Sequence, residues 1–173
     1  MTSKLTLAVV LAAMSMSASV LAADGTVNFT GTITDKACTV DTGSKNQTVD
    51  MGTVATTAFG AKGDTAAAKS FTIKLTTCPT DVTTNGAAVR FDGMAKDGDP
   101  SVLALDAASV ATDVGIQIKD NANKVVKLFE NSSVYTLVQG DNNLNFTARY
   151  ISTADTVGAG TANSSAQFTI IYQ

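Results

Sequence analysis

Gly25-Thr-Val-Asn-Phe-Thr-Gly-Thr-Ile33 is the stretch on which the reading of this chain turns. Val27, Phe29 and Ile33 fall on one face, and Thr26, Asn28, Thr30 and Thr32 fall on the other. That period of two is the pattern of a half-buried β-strand. The stretch follows a leader-like segment and precedes Cys38, the first cysteine. A strand in that position is either the first strand of its own domain or an arm available to pair elsewhere. Alternation alone favours the ordinary first strand.

The preceding segment has the form of a secretory signal. Lys4 supplies a positive start, residues 5–14 are apolar, and Val20-Leu-Ala-Ala23 offers small residues to a peptidase. The apolar run is too short for a convincing membrane span, and no later stretch could cross a bilayer. Cleavage after Ala22 or Ala23 is chemically reasonable, and Ala22 is preferred. Residues 1–22 are therefore expected to be removed, leaving 151 residues, enough for one domain with a real core.

Removal of Lys4 leaves eleven basic residues against fifteen acidic ones, a formal charge of −4. Only Arg90 and Arg149 are arginines and no basic cluster exists, which argues against nucleic-acid binding. Of the acids only Glu130 is a glutamate; the aspartates suit turns better than helix surfaces. Histidine is absent, which excludes every histidine-dependent base, triad and ligand set. Serine and threonine are plentiful, but no activating base accompanies them. The chain is expected not to be an enzyme and to carry neither cofactor nor metal. Asp97-Gly-Asp99 reads as a solvated turn.

Cys38 and Cys78 are the only cysteines. In an exported chain an even count reads as one intramolecular disulfide. Closing a loop of this length would stabilise the fold by about 4 kcal/mol on chain-entropy arithmetic.

The remaining sequence reads as short strands. Residues 38–40, 47–54, 69–77, 87–92, 102–105, 114–119, 124–129, 134–138, 144–151 and 166–172 are the extended candidates. Phe71, Ile73 and Leu75 share a face, as do Leu144, Phe146, Ala148 and Tyr150, and as do Ala166, Phe168, Ile170 and Tyr172. Residues 58–68, 93–100, 140–143 and 154–163 read as loops or turns, and 104–111 as a possible helical turn. Pro79 ends its strand because proline cannot donate to a ladder. Arg90 and Arg149 are expected on solvated faces; Met51 and Met94 are expected in simple packing. Strands at this spacing indicate an antiparallel sandwich, with a barrel as competitor.

The order of these pieces resembles the pilin subunits of chaperone–usher fimbriae, especially the type 1 group and its major shaft pilins. The resemblance is carried by Gly25 to Ile33, Cys38-Thr-Val-Asp41, Thr77-Cys-Pro79, Phe146-Thr-Ala-Arg-Tyr150 and the ending Ala166 to Gln173 with Tyr172 next to last. It implies an incomplete immunoglobulin-like sandwich lacking its last strand, with residues 23–36 as an N-terminal donor-strand arm and 37–173 as the pilin domain. It further implies polymerisation by non-covalent donor-strand exchange, the strand-addition mode of pilins that is well established in general terms. The arm residues directed into a neighbour's groove would be Gly25, Val27, Phe29, Gly31 and Ile33. Gly25 departs from members with an aliphatic residue there. Phe168, Ile170 and Tyr172 would form a groove wall and be recognised by a periplasmic chaperone. The implied partners are neighbouring pilins, that chaperone, an outer-membrane usher and tip or adaptor subunits, and the implied destination is the surface fimbrium by way of the periplasm. A minor adaptor near the tip and a self-contained secreted sandwich that binds a ligand are the alternatives.

Overall fold

The computed structural model describes residues 24–31, 33, 36–82 and 84–173. The proposed signal segment 1–22 lies outside the described residues. Two units are distinguished, residues 1–33 and residues 34–173, and each is described by itself.

The second unit is all-β. Its strands are β1 (Thr39–Val40), β2 (Thr65–Cys78), β3 (Ala87–Asp92), β4 (Ala95–Lys96), β5 (Asp99–Leu103), β6 (Val114–Lys119), β7 (Gly140–Ser152) and β8 (Gln167–Tyr172). One sheet runs β1-β2-β7-β6-β5-β4 and the other pairs β3 with β8. Every pairing is antiparallel. Two sheets face one another over a common core, so the architecture is a sandwich rather than a closed barrel.

Alternation explains that core. On β2, Ile73 and Leu75 are fully buried while Lys74 points outward to Asp141 at 3.0 Å. On β7, Leu144, Phe146, Ala148 and Tyr150 are buried. The register sets Phe71 opposite Phe146 and Ile73 opposite Leu144. Phe146 stacks on Phe71 at 5.5 Å and meets the edge of Phe91 at 5.2 Å. Such ring pairs add specific geometry to the burial that drives folding, which matters where tryptophan is absent. Cys38 and Cys78 form a disulfide across 40 positions, fixing β1 to the end of β2.

Several segments depart from the sequence expectation. Residues 47–54 form no strand. Among the described residues, no backbone–backbone hydrogen bond ties them to a neighbour. β2 begins at Thr65, inside the expected loop, and is bulged between Ala66 and Lys69, where Ala67 adopts φ 54°. Residues 104–111 are not helical; Asp106, Val110 and Ala111 donate their amides to Asn163 and Thr161 carbonyls instead. The expected turn at 140–143 is already strand, because Gly140 (φ 92°) completes the reversal and β7 starts there.

Residues 124–138 make only isolated bridges, Lys119 with Val125, Arg90 with Asn131 and Ala87 with Tyr135. Backbone hydrogen bonds to β3, β5 and β6 hold them in place, and Asp120 adds to this, its carboxylate accepting from the amides of Ala122, Lys124 and Ser133 at 2.9–3.0 Å. Burial works against its charge, but the hydrogen bonds from Ser133, Lys124 and Ala122 prevail, so its carboxyl titrates below the usual range. Arg149 is less solvated than expected: it donates to Gln117 Oε1 from Nε and Nη2 at 3.1 and 2.6 Å. Arg90 lies against Asp92 at 3.3 Å, with its Nε buried. Met94 is 74% exposed and is not a packing residue.

Candidate strand-acceptor groove

The two-stranded sheet is the weak half of the sandwich. β8 pairs with β3 on one side, and its other edge faces residues 46–54 across a groove. The open edge of β8 and the unladdered backbone of residues 46–54 leave hydrogen-bonding groups that a further strand could satisfy. The groove is about 890 Å³, and Phe71, Phe91, Leu103, Ile116, Ile118 and Ala148 form its apolar floor. Lys45 is the one charged side chain among its lining residues. At Asn163 it meets a second cavity of about 480 Å³, which is lined in part by Val54, Phe59, Val114, Tyr150 and Val157 and by no charged residue.

Each rim has a local reason for its course. Asp41 accepts from the Gly43 amide at 2.9 Å and begins the single helical turn Thr42–Lys45. Buried Ser44 accepts from the Lys74 amide at 2.9 Å, pinning the turn to β2. The chain then leaves β2 and runs on as the unpaired rim. On the opposite side, residues 158–163 are held from outside by residues 106–112. Tyr150 donates its hydroxyl to Ala162 O at 2.9 Å from below. Burial, followed by the charge of Asp50, raises the Tyr150 phenol above its ordinary value.

The groove's two ends differ. Near one, the Cys38 amide donates to the Tyr172 hydroxyl at 2.8 Å, so the last strand is tied directly to the disulfide. Burial raises the Tyr172 phenol, although the Cys38 hydrogen bond acts the other way. The other end opens into the second cavity.

Of the three groove residues singled out in the sequence, Phe168 lines the main cavity. Ile170 and Tyr172 are half-buried and pack against the core. The floor itself was not singled out. Alternation marks Phe71, Phe91, Ile116 and Ile118 as inward-facing, but it gives no sign of which part of an inward face lacks a cover. Phe59 and residues 158–163 lie in loops and carried no periodic signal at all.

In the first unit, Val27, Phe29 and Ile33 are 75%, 91% and 103% exposed. A Cβ placed at Gly25 or Gly31 would meet no atom within 4 Å, and neither glycine has positive φ. Nothing within the subunit therefore requires glycine at position 31.

An antiparallel sandwich with an open apolar groove, preceded by an exposed alternating segment, defines a class of subunit whose fold is completed by a strand from another chain. The fimbrial protein family matches residues 27–173. The type-1 fimbrial protein A chain of Escherichia coli K12 is 43% identical, with 95% of this chain and 96% of that protein aligned. Long polar fimbria protein A of Salmonella typhimurium is 41% identical over 87% of this chain and 84% of its own. A solved structure of an antigen and type I fimbria protein from Burkholderia pseudomallei is 38% identical with a TM-score of 0.62, covering 86% of this chain and 97% of that one. The P pilus rod subunit PapA, at 24% identity and a TM-score of 0.63, shares the fold over 79% of this chain and 99% of its own. This chain belongs to the fimbrial protein family.

Proposed function

We propose that residues 23–36 are the donor-strand arm of this subunit and that the groove between residues 46–54 and β8 receives the same arm from a neighbouring copy. The protein is then a structural, non-catalytic subunit of a surface fimbria, built by donor-strand exchange after export through the periplasm. A chaperone occupies the groove before exchange, and an outer-membrane usher hands the subunit to the growing fibre. A shaft role is supported by the 39% identity to a probable major fimbrial subunit of Escherichia coli O157:H7.

The observation that carries this reading is complementarity. The groove has an apolar floor and a single charged lining residue, and it lies between the open edge of β8 and residues 46–54, which join no ladder. The arm offers apolar side chains on alternate positions and leaves them in solvent. Burying Val27, Phe29 and Ile33 would contribute roughly 1.5–3 kcal/mol each before ordering costs. The new backbone ladder fixes register and hides an edge that otherwise invites aggregation.

Orientation follows from the unequal ends. Gly25 has no side chain and suits the end tied by Tyr172 and Cys38. Ile33 suits the open cavity at Val54, Phe59 and Tyr150. The arm then runs antiparallel to β8, with Phe29 over the ring cluster of the floor. Phe168, Ile170 and Tyr172 form the adjoining wall, with chaperone recognition assigned to the same strand.

The test compares full-length subunit with a form lacking residues 23–36, each mixed with chaperone-filled subunit. The intact form should produce exchange products that survive mild denaturant, and the truncated form should act only as an acceptor at the fibre end. Equal assembly by both would refute the assignment of the arm.

A further inference from the structure

Resting on that arm-in-groove reading, we propose that a second surface on each subunit, the concavity bordered by Met94, Leu105, Asp106 and Val114, seats the disulfide-bearing end of the neighbouring subunit's body. The donor strand would thus be accompanied by a body-to-body contact at a defined place.

The connection between arm and body is short. Only residues 34–37 separate Ile33 from Cys38. Five extended Cα steps span at most roughly 18 Å. With Ile33 seated in the cavity at Val54, Phe59 and Tyr150, the neighbour's Cys38–Cys78 pair must lie within that distance of it. A second copy of this chain is therefore held within reach of the surfaces adjoining that cavity.

Such a surface is present. A concavity of about 430 Å³ shares Ala111 and Val114 with the groove's end cavity and lies beside it. Met94 lines it and is 74% exposed; Val110, next to lining residues Ser109 and Ala111, is 65% exposed. The Val110 amide is engaged by Thr161. Residues 104–112 are thereby fixed as a shelf at the groove mouth, so this patch is presented on ordered backbone. The concavity's lining is mixed, with Lys96, Asp97, Asp106 and Asp113 beside Met94 and Leu105. On the facing body, half-buried Pro79 and Val82 and the Lys36–Asp81 ion pair offer a similarly mixed surface near Cys78. Met94 and Val110 are left in solvent beside the proposed exit of a bound strand, where the short tether would bring a neighbour able to cover them.

The photoreactive residue p-benzoylphenylalanine would replace Met94, Val110 or, as a groove control, Gln167 in fibres assembled from the full chain. After irradiation, cross-linked dimers would be digested and read by mass spectrometry. Probes at 94 and 110 should capture neighbour peptides containing residues 36–40 or 76–82, and the probe at 167 should capture residues 25–33. Capture of the arm at 167 with no such peptides from either 94 or 110 would overturn the body contact while leaving the groove reading intact. Failure at 167 as well would overturn both.

Discussion

Gly31 breaks the pattern that surrounds it. A glycine within a strand costs roughly 0.5–1 kcal/mol relative to alanine and is retained where backbones approach closely or φ is positive. In the subunit neither reason applies, since a Cβ there meets open space and φ is ordinary. Close backbone approach in a neighbour's groove, as proposed above, would supply that reason. Gly31→Leu should fold as the parent does, yet exchange into a chaperone-filled groove at least tenfold more slowly in a stopped-flow or gel-shift time course. A rate equal to the parent's would remove the close approach at that position. The use of Val27, Phe29 and Ile33 as an arm rested on the family resemblance, whereas their alternation was legible in the sequence because a period of two needs only the local chain. Gln117 and Asp120 were not: one is buried under Arg149 and the other organises a connection by accepting three amides, and both depend on contacts that no local pattern encodes.

At the level of elements, the rim formed by residues 46–54 shows how a strand-like sequence can lack a strand. Thr48, Val49 and Met51 have suitable propensity, but β-structure is stabilised by cross-strand neighbours, and none is present on that side before an arm arrives. The expected helix at 104–111 fails for the complementary reason. Its alanines favour helix, but propensity is a weak determinant, and backbone hydrogen bonds to residues 158–163 satisfy the chain on either side of a turn at Asp106–Ser109. Strands β2, β3, β7 and β8 were readable because their core-facing residues alternate over long runs. The unpaired rim relies on what holds its base: the disulfide, two residues of β1, and Ser44. Replacing both cysteines by serine should lower stability by about 4 kcal/mol, the loop-closure figure. It should also weaken binding of an arm peptide, because one wall of the groove loses its anchor. The checks are urea midpoints and calorimetric titration. An unchanged midpoint and affinity would show that β1 and Ser44 suffice.

The second unit, residues 34–173, is a sandwich in which, among the described residues, a six-stranded sheet faces a two-stranded one. Sandwich class was legible from strand spacing; the gap beside the last strand was implied only by the family resemblance, because it is defined by sheet order rather than by any one segment. Occupation of that gap should be measurable as folding energy. An arm peptide of residues 24–35 that binds only the folded, arm-deleted subunit should raise stability by about 2.7 kcal/mol at a hundredfold excess over Kd. Differential scanning calorimetry would read this as an increase in Tm that grows with peptide concentration, and a Tm indifferent to peptide would contradict an unfilled acceptor. The Cys38–Cys78 bond also determines how a fibre of such subunits carries load. With residues 23–36 as the arm proposed above, tension along it would reach the body at Cys38 and cross the sulfurs to the end of β2, which is paired with β7 along most of its length. Residues 39–77 form a covalently bypassed loop that a pull from this end cannot draw out. A stretched fibre therefore has to yield at the non-covalent joints between subunits or in the body beyond Cys78, while the stretch of chain that builds the groove's first wall stays mechanically silent.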